Sequence, residues 1–430
     1  MDLYQEPFVN PAYQYILAFQ KLSSFLLVNP YSITSVLNDE GKIVKLEKRK
    51  RTWKMFIFGY LCITGILTST LTLVLNTFRG LTSLKKNPTQ FYTVAQMCTV
   101  LISDYYLIYL FWFRKRNFMT LSNTLLHLGD TVNTSKRDNV FIKLLPIWTT
   151  FAPIFMYVAP TLLSYINGVR NFRYSYVINF KRSLNLNQII FSGVAKLLRD
   201  EPWNDENDWV LFYSDYALSS LLFILTLHYS VYSMLAEVML SSYICFVTYR
   251  VGCNCDEFLK RNQNLGYNEI SKLYREMKIF TYELNETFGV VILGTVTMGL
   301  VYFSQSFLEI IDPAPITIRR SISVLILMIY VTSFFWAAEG AVKFESLGKY
   351  ISLRFSKPGY KNNVELLAIQ NDLYYNPLGL HAFKFLISYG FIVKCLGTVV
   401  TYMIVLIQFQ YSTTSNNSGK SVNNNMTTAN

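Results

Sequence analysis

The chain has 430 residues, 52% of them hydrophobic and 15% charged, with a net charge of +12. Soluble chains carry about 25% charged residues, so this balance excludes an ordinary soluble globular protein. The cations stand beside long apolar runs rather than on a soluble face, which excludes a nucleic-acid-binding domain as well.

In chain order, residues 1–54 read as a cytosolic segment with a broken apolar stretch around Tyr15 to Val28, interrupted by Gln20 and Lys21. No cleavable signal is expected there, because no short apolar run follows a cationic start and ends at small residues. Seven segments then reach spanning length, about 20 mostly apolar residues. They are Met55–Phe78, Phe91–Phe113, Leu144–Ile166, Trp209–Tyr249, Phe288–Ile311, Ile322–Ala338 and Phe385–Phe409. The third carries Pro146, Pro153 and Pro160 and is expected to kink. The fourth, at 1.5 Å per residue, would be about twice as long as the hydrocarbon is thick. With neither Pro nor Gly inside it, one long helix projecting into the cytosol is expected.

The N-terminal segment and every second loop after it hold 26 Lys and Arg; the alternate segments hold 12. The run Lys48-Arg49-Lys50-Arg51 stands just before the first span. This bias predicts a cytosolic N-terminus and, with an odd span count, an extracellular C-terminus. The loop Asn167–Asp208 weakens the pattern with 6 cations beside 5 acids. The N-x-S/T sequons do not arbitrate: Asn416 and Asn425 fall outside, Asn133 and Asn285 inside. The fold class is therefore all-α: a polytopic membrane protein with seven transmembrane helices and a helical cytosolic anchor. Its parts are residues 55–338 for helices 1–6, 339–384 for the anchor, 385–409 for helix 7 and 410–430 for an Asn-, Ser- and Thr-rich tail expected to be disordered. Asn268 to Phe288, with Ile270, Leu273, Tyr274, Met277 and Tyr282 at near-helical spacing, reads as an amphipathic helix entering the fifth span.

No enzyme is expected. The chain has no phosphate-binding glycine loop, no H-E-x-x-H and no G-x-S-x-G, and its three His (His127, His228, His381) are scattered. Cys253 and Cys255 form a lone C-x-C with nothing nearby to complete a metal site; they and the other four Cys read as free thiols, and no cofactor is expected. The last span is the informative element. One face carries Gly390, Lys394, Gly397, Thr401, Ile404 and Gln408, and the other faces are apolar. Two readings stand: a close helix–helix seam, or the wall of a water-filled path.

The run Thr401-Tyr402-Met403-Ile404-Val405-Leu406-Ile407-Gln408-Phe409 reads Thr-Tyr, five hydrophobics, Gln-Phe. It resembles the closing motif of the insect gustatory receptor family. Gly379-Leu380 before the last span and the early Leu22-Ser23-Ser24-Phe25-Leu26-Leu27-Val28-Asn29-Pro30-Tyr31 resemble further family features. The resemblance covers the whole chain, and the last motif is its most specific part. It implies a ligand-gated cation channel in the plasma membrane of a sensory neuron, a homo- or hetero-tetramer opened by a small-molecule tastant such as a sugar or bitter compound. On that reading Gln408 and Phe409 sit at the pore constriction, and Ile404, Thr401 and Gly397 line the path. Tyr402 supports the helix, and the Thr401 hydroxyl bonds the Gly397 carbonyl.

Lys394 departs from this picture, since a ring of four lysines repels cations; a pairing with Asp104 or Glu237, or a snorkelled side chain, is expected to turn it aside. For a ligand pocket in the outer half, topology offers Gln96, Tyr157, Asp215, Tyr216 and Gln305 among aromatics that include Tyr92, Tyr165, Trp209, Tyr213 and Tyr302. Three other readings compete. A G-protein-coupled receptor needs an outside N-terminus, and a secondary transporter is disfavoured by odd span number and the lack of a repeat. An odorant receptor of the same fold is set aside by the Gln-Phe closing pair.

Overall fold

The computed structural model describes residues 11–25, 29, 31, 33–38, 43–48, 98–99, 102, 105–132, 144, 237–311, 318–355 and 364–426. Its helices are α1 (Pro11–Phe25), α2 (Lys115–Val132), α3 (237–261), α4 (Tyr267–Ile311), α5 (Ile318–Phe344), α6 (Ser346–Phe355), α7 (Val364–Tyr375) and α8 (Tyr389–Met426). Two antiparallel hairpins join them, β1 (Ile33–Leu37) with β2 (Ile43–Lys48), and β3 (His381–Ala382) with β4 (Phe385–Leu386). The protein is thus predominantly helical, with two small departures from the all-α expectation.

The periodicities explain the packing. α2 buries Phe118, Leu121, Leu125, Leu128 and Val132, steps of three and four residues that fall on one helical face. α1 buries Ala12, Tyr15, Ile16, Phe19 and Leu22 in the same way. The stretch that looked broken in the sequence is therefore an amphipathic helix whose Gln20 and Lys21 lie off the buried face. Asn29 ends it: its amide bonds Ser23 Oγ (3.3 Å) and its Oδ1 accepts the Tyr31 N–H (3.1 Å). Tyr31 is buried beside Phe118. β2 is held to α2 by Asn123, whose Oδ1 accepts the Leu46 N–H at 2.8 Å, so that a side-chain amide stands in for a neighbouring strand.

α4 is the central element and packs against α2, α5, α7, α8 and β3. Its start is fixed by Glu269, which reaches back to the Gly266 N–H (2.8 Å), half of a capping box. Ile270, Leu273 and Met277 are fully buried as their spacing predicts. Tyr282 is instead exposed, and Phe280 and Leu284 continue the stripe, because a 3.6-residue period carries position 282 off that face. The Tyr350 hydroxyl of α6 clamps the turn between α3 and α4. It donates to the Asn262 carbonyl (2.9 Å) and accepts from the Leu265 N–H (3.2 Å) and Arg354 (2.8 Å).

Several expected boundaries move. The fourth expected segment does not stop at Tyr249: helix continues through Gly252 to residue 261, since one glycine costs a helix interior only about 1 kcal/mol. Position 339 is no boundary, because α5 runs unbroken to Phe344. The last helix starts at Tyr389 rather than Phe385, the preceding residues being spent on β4 and on Ser388, whose Oγ accepts the Phe391 N–H as an N-cap. The tail expected to be disordered is helical to Met426. Extending a helix that already exists avoids the nucleation cost, so polar residues of modest propensity suffice. Among the described residues, no helix is long and apolar enough to cross a membrane. The expected spans 55–78 and 144–166, nearly all of 91–104, and 209–236 of the fourth lie outside the described residues, apart from 98–99, 102 and 144.

Candidate functional site: the exposed face of the last helix

α8 is packed on one side only. Ile392 and Val399 are buried and Phe391, Cys395 and Met403 half-buried, where the helix meets α4 and α5. Every member of the small and polar stripe, Gly390, Lys394, Gly397, Thr401, Ile404 and Gln408, is exposed. A Cβ built on Gly397 meets no atom within 4 Å. The stripe is therefore not a seam with another described helix of the same chain. Thr401 Oγ1 donates to the Gly397 carbonyl at 2.9 Å, and Thr398 Oγ1 repeats this bond to Lys394 at 2.9 Å. The hydroxyls are satisfied within the helix, so their methyl groups share the exposed surface. Tyr402 is half exposed; Phe409 lies on the same helix one residue beyond Gln408.

The base of α8 is tied down at two points. The Tyr389 hydroxyl donates to Glu339 Oε2 of α5 at 2.6 Å, and Lys343 lies 3.3 Å from Glu339 Oε1. That hydroxyl first, and Lys343 with it, hold the Glu339 carboxyl below the usual carboxylate range. Lys343 also stands 3.9 Å from Asp256 of α3, which Lys260 reaches at 2.7 Å, so the network runs from the start of α8 to the far end of α3.

The second tie is the hairpin β3–β4. Asn285 of α4 uses both ends of its amide on it. Oδ1 accepts the His381 N–H (2.8 Å), and Nδ2 lies 3.0 Å from the Gly379 carbonyl and 2.9 Å from His381 Nδ1. Phe383 donates its N–H to the Gly289 carbonyl at 2.9 Å. Burial holds His381 below its ordinary pKa, as a neutral ring whose Nδ1 can accept from Asn285. Gly379 has φ +151°, and a Cβ there would lie 2.8 Å from Leu386 Cδ1, so only glycine fits this turn.

Lys394 does not make the expected ion pair with Glu237. It is exposed, whereas Glu237 is fully buried on α3, with Oε1 accepting from Thr295 Oγ1 at 3.2 Å. A long flexible cation on the free face of α8 keeps its hydration there, and no described carboxylate lies on that face. Asp104 lies outside the described residues. So do the ligand candidates Gln96, Tyr157, Asp215 and Tyr216, together with Tyr92, Tyr165, Trp209 and Tyr213; Gln305 and Tyr302 are placed on α4. Conversely, no sequence motif links Asn285 to His381; only their contact, 96 residues apart in sequence, reveals them as a pair.

No family model and no curated protein matches the chain. Among solved structures it is similar to that of the insect olfactory receptor OR5 from Machilis hrabei in complex with eugenol. That likeness has 15% sequence identity and a TM-score of 0.46, over 92% of this chain and 99% of that one. A second structure of the same receptor matches at 15% identity and a TM-score of 0.42, with the same coverage.

Proposed function

We propose that the protein is a gustatory-type chemoreceptor: a ligand-gated, non-selective cation channel of the plasma membrane of sensory neurons. Four copies bring their last helices together around a central path, and a small-molecule tastant, a sugar or a bitter compound, opens it. The observation that carries this reading is the unpacked stripe on α8. A row of Gly, Lys, Gly, Thr and Gln facing lipid would be costly, so it calls for water or for copies of itself. The closing Thr401-Tyr402 to Gln408-Phe409 motif gives the same helix and favours the gustatory over the odorant branch. Residues 289–308 of α4, 321–338 of α5 and 395–409 of α8 hold no charged residue, which suits the membrane setting.

On this reading Gln408 and Phe409 form the outer constriction, with Ile404, Thr401 and Gly397 following inward and Tyr402 buttressing the helix. Gln96, Tyr157, Asp215, Tyr216 and Gln305 are the first positions to vary for ligand selectivity. The N-terminus is cytosolic, and α6, α7 and the far end of α3 belong to a cytosolic anchor. The test is a recording from the purified full-length chain in a planar bilayer, against panels of sugars, bitter compounds and volatile odorants. A tastant-evoked cation current that Gln408→Lys diminishes is the expected result. Absence of evoked current, with G-protein coupling or substrate turnover instead, overturns the reading, and a response confined to odorants moves it to the sister branch.

A further inference from the structure

Beneath α1 lie two adjoining cavities. The larger, about 50 Å³, is walled by Tyr15, Ile16 and Phe19 of α1 and by side chains of α2, α3 and α4 that include Leu125, Tyr243 and Phe288. The smaller, about 20 Å³, lies between α1, α2 and α3 and includes Ala12, Gly129, Asn254 and Cys255 in its lining. Tyr15 and Leu125 line both and so form the partition between them.

Their chemistry differs. At the larger chamber the Ser122 hydroxyl is bonded to the Phe118 carbonyl (2.8 Å) and the Tyr243 hydroxyl to the Tyr15 carbonyl (2.7 Å). The rest of its described lining is almost wholly apolar, which suits an apolar guest. The smaller chamber holds one open acceptor: the buried Oδ1 of Asn254 has no hydrogen-bond partner. Beside it the Cys255 thiol is kept protonated by burial. An unmet buried acceptor is costly, and a guest bringing a single donor removes that cost.

We propose that these chambers form a binding site for a short aliphatic alcohol. The larger holds roughly three to five carbon-sized groups and the smaller roughly one to two, at ~10–15 Å³ for each water-sized sphere. A four- or five-carbon chain fills the first, and its hydroxyl passes between Tyr15 and Leu125 to donate to Asn254 Oδ1. The site is built from α1 and from residues 118–132 of α2, 243–255 of α3 and 280–288 of α4, and its described lining includes none of the outer-half ligand candidates. An occupant touches all four helices and strengthens the seating of α1. The inference does not depend on channel activity.

The test is photolabelling of the detergent-purified full chain with a five-carbon alcohol bearing a diazirine, followed by mapping of the labelled peptides. Saturable labelling of peptides containing Tyr15, Leu125 or Tyr243 is expected, with competition by unlabelled 1-pentanol. The isosteric ether 1-methoxybutane, which has no donor, competes about tenfold less well, the factor expected for one hydrogen bond. Asn254→Leu lowers labelling about tenfold, and Leu125→Phe, which fills the partition, abolishes it. Unsaturable labelling, or equal competition by alcohol and ether, overturns the proposal. The competition arm uses the unmodified protein and stands even if a variant fails to fold.

Discussion

Gly252 of α3 and Gly340 of α5 meet where two helix backbones touch. A Cβ at 252 would lie 2.9 Å from the Gly340 carbonyl oxygen, and one at 340 would lie 3.2 Å from the Thr248 carbonyl oxygen and the Tyr249 backbone. Gly252→Ala is expected to cost about 1–3 kcal/mol, the usual penalty of overpacking a tight contact. Gly397→Ala is the matched control: nothing crowds it, and Ala in place of Gly inside a helix is worth about 0.5–1 kcal/mol of stabilisation. Thermal unfolding of the two variants should therefore move in opposite directions, and if α8 lines a cation path only the second should alter conductance.

Asn285→Leu removes the three contacts that seat the hairpin on α4. A loss of about 3 kcal/mol is expected, each net hydrogen bond contributing about 1 kcal/mol. The loss should be local: hydrogen exchange at the His381 and Phe383 amides rises many-fold, while the amides of α2 keep their protection.

The same node predicts a pH dependence. Burial holds the folded-state pKa of His381 below its unfolded value, so the unfolded chain binds the proton first as the solution is acidified. The contribution is fully present above about pH 6.5. It is lost as pH falls from there through the lower folded-state pKa, because stability falls with pH wherever the unfolded state holds more protons. His381→Gln should flatten that part of the stability–pH curve; an unchanged slope would assign the dependence to other groups.

Phe19 anchors α1 through ring contacts with Phe111, Phe118, Tyr243 and Phe288, at centroid distances of 5.3 to 6.2 Å. Phe19→Ala should cost about 3–5 kcal/mol, as for other buried aromatics. Limited proteolysis after α1 should become rapid in that variant.

Lys394 stands on the exposed face of α8 and does not pair with Glu237. If that face lines the cation path, Lys394→Gln removes four positive charges from a tetramer and raises single-channel cation conductance. A reversal potential and conductance identical to those of the parent would place the ammonium away from the path.

What the sequence made legible was periodic. The stripe on α8, the entry of α4 near Asn268 and the helices α6 and α7 follow from spacing, since each helix buries one face and frees another. What stayed hidden was pairwise. α1 looked interrupted because Gln20 and Lys21 were read along the chain rather than around the helix. Asn285 and His381 became a unit only once a turn built on Gly379 brought them together. The pairing of Lys394 with Glu237 failed for a related reason: opposite charges in a sequence say nothing of which helix faces they occupy, and Glu237 is buried in the core.

Asn285 is also the first residue of an Asn-Glu-Thr acceptor sequence for N-linked sugars. Its amide nitrogen is the atom a glycan would take, and that nitrogen already serves Gly379 and His381. Glycan and docked hairpin therefore exclude each other. With the N-terminus cytosolic, as proposed above, a chain inserted in the opposite orientation would offer this site to the lumenal transferase and, once modified, could no longer seat the hairpin at the base of α8.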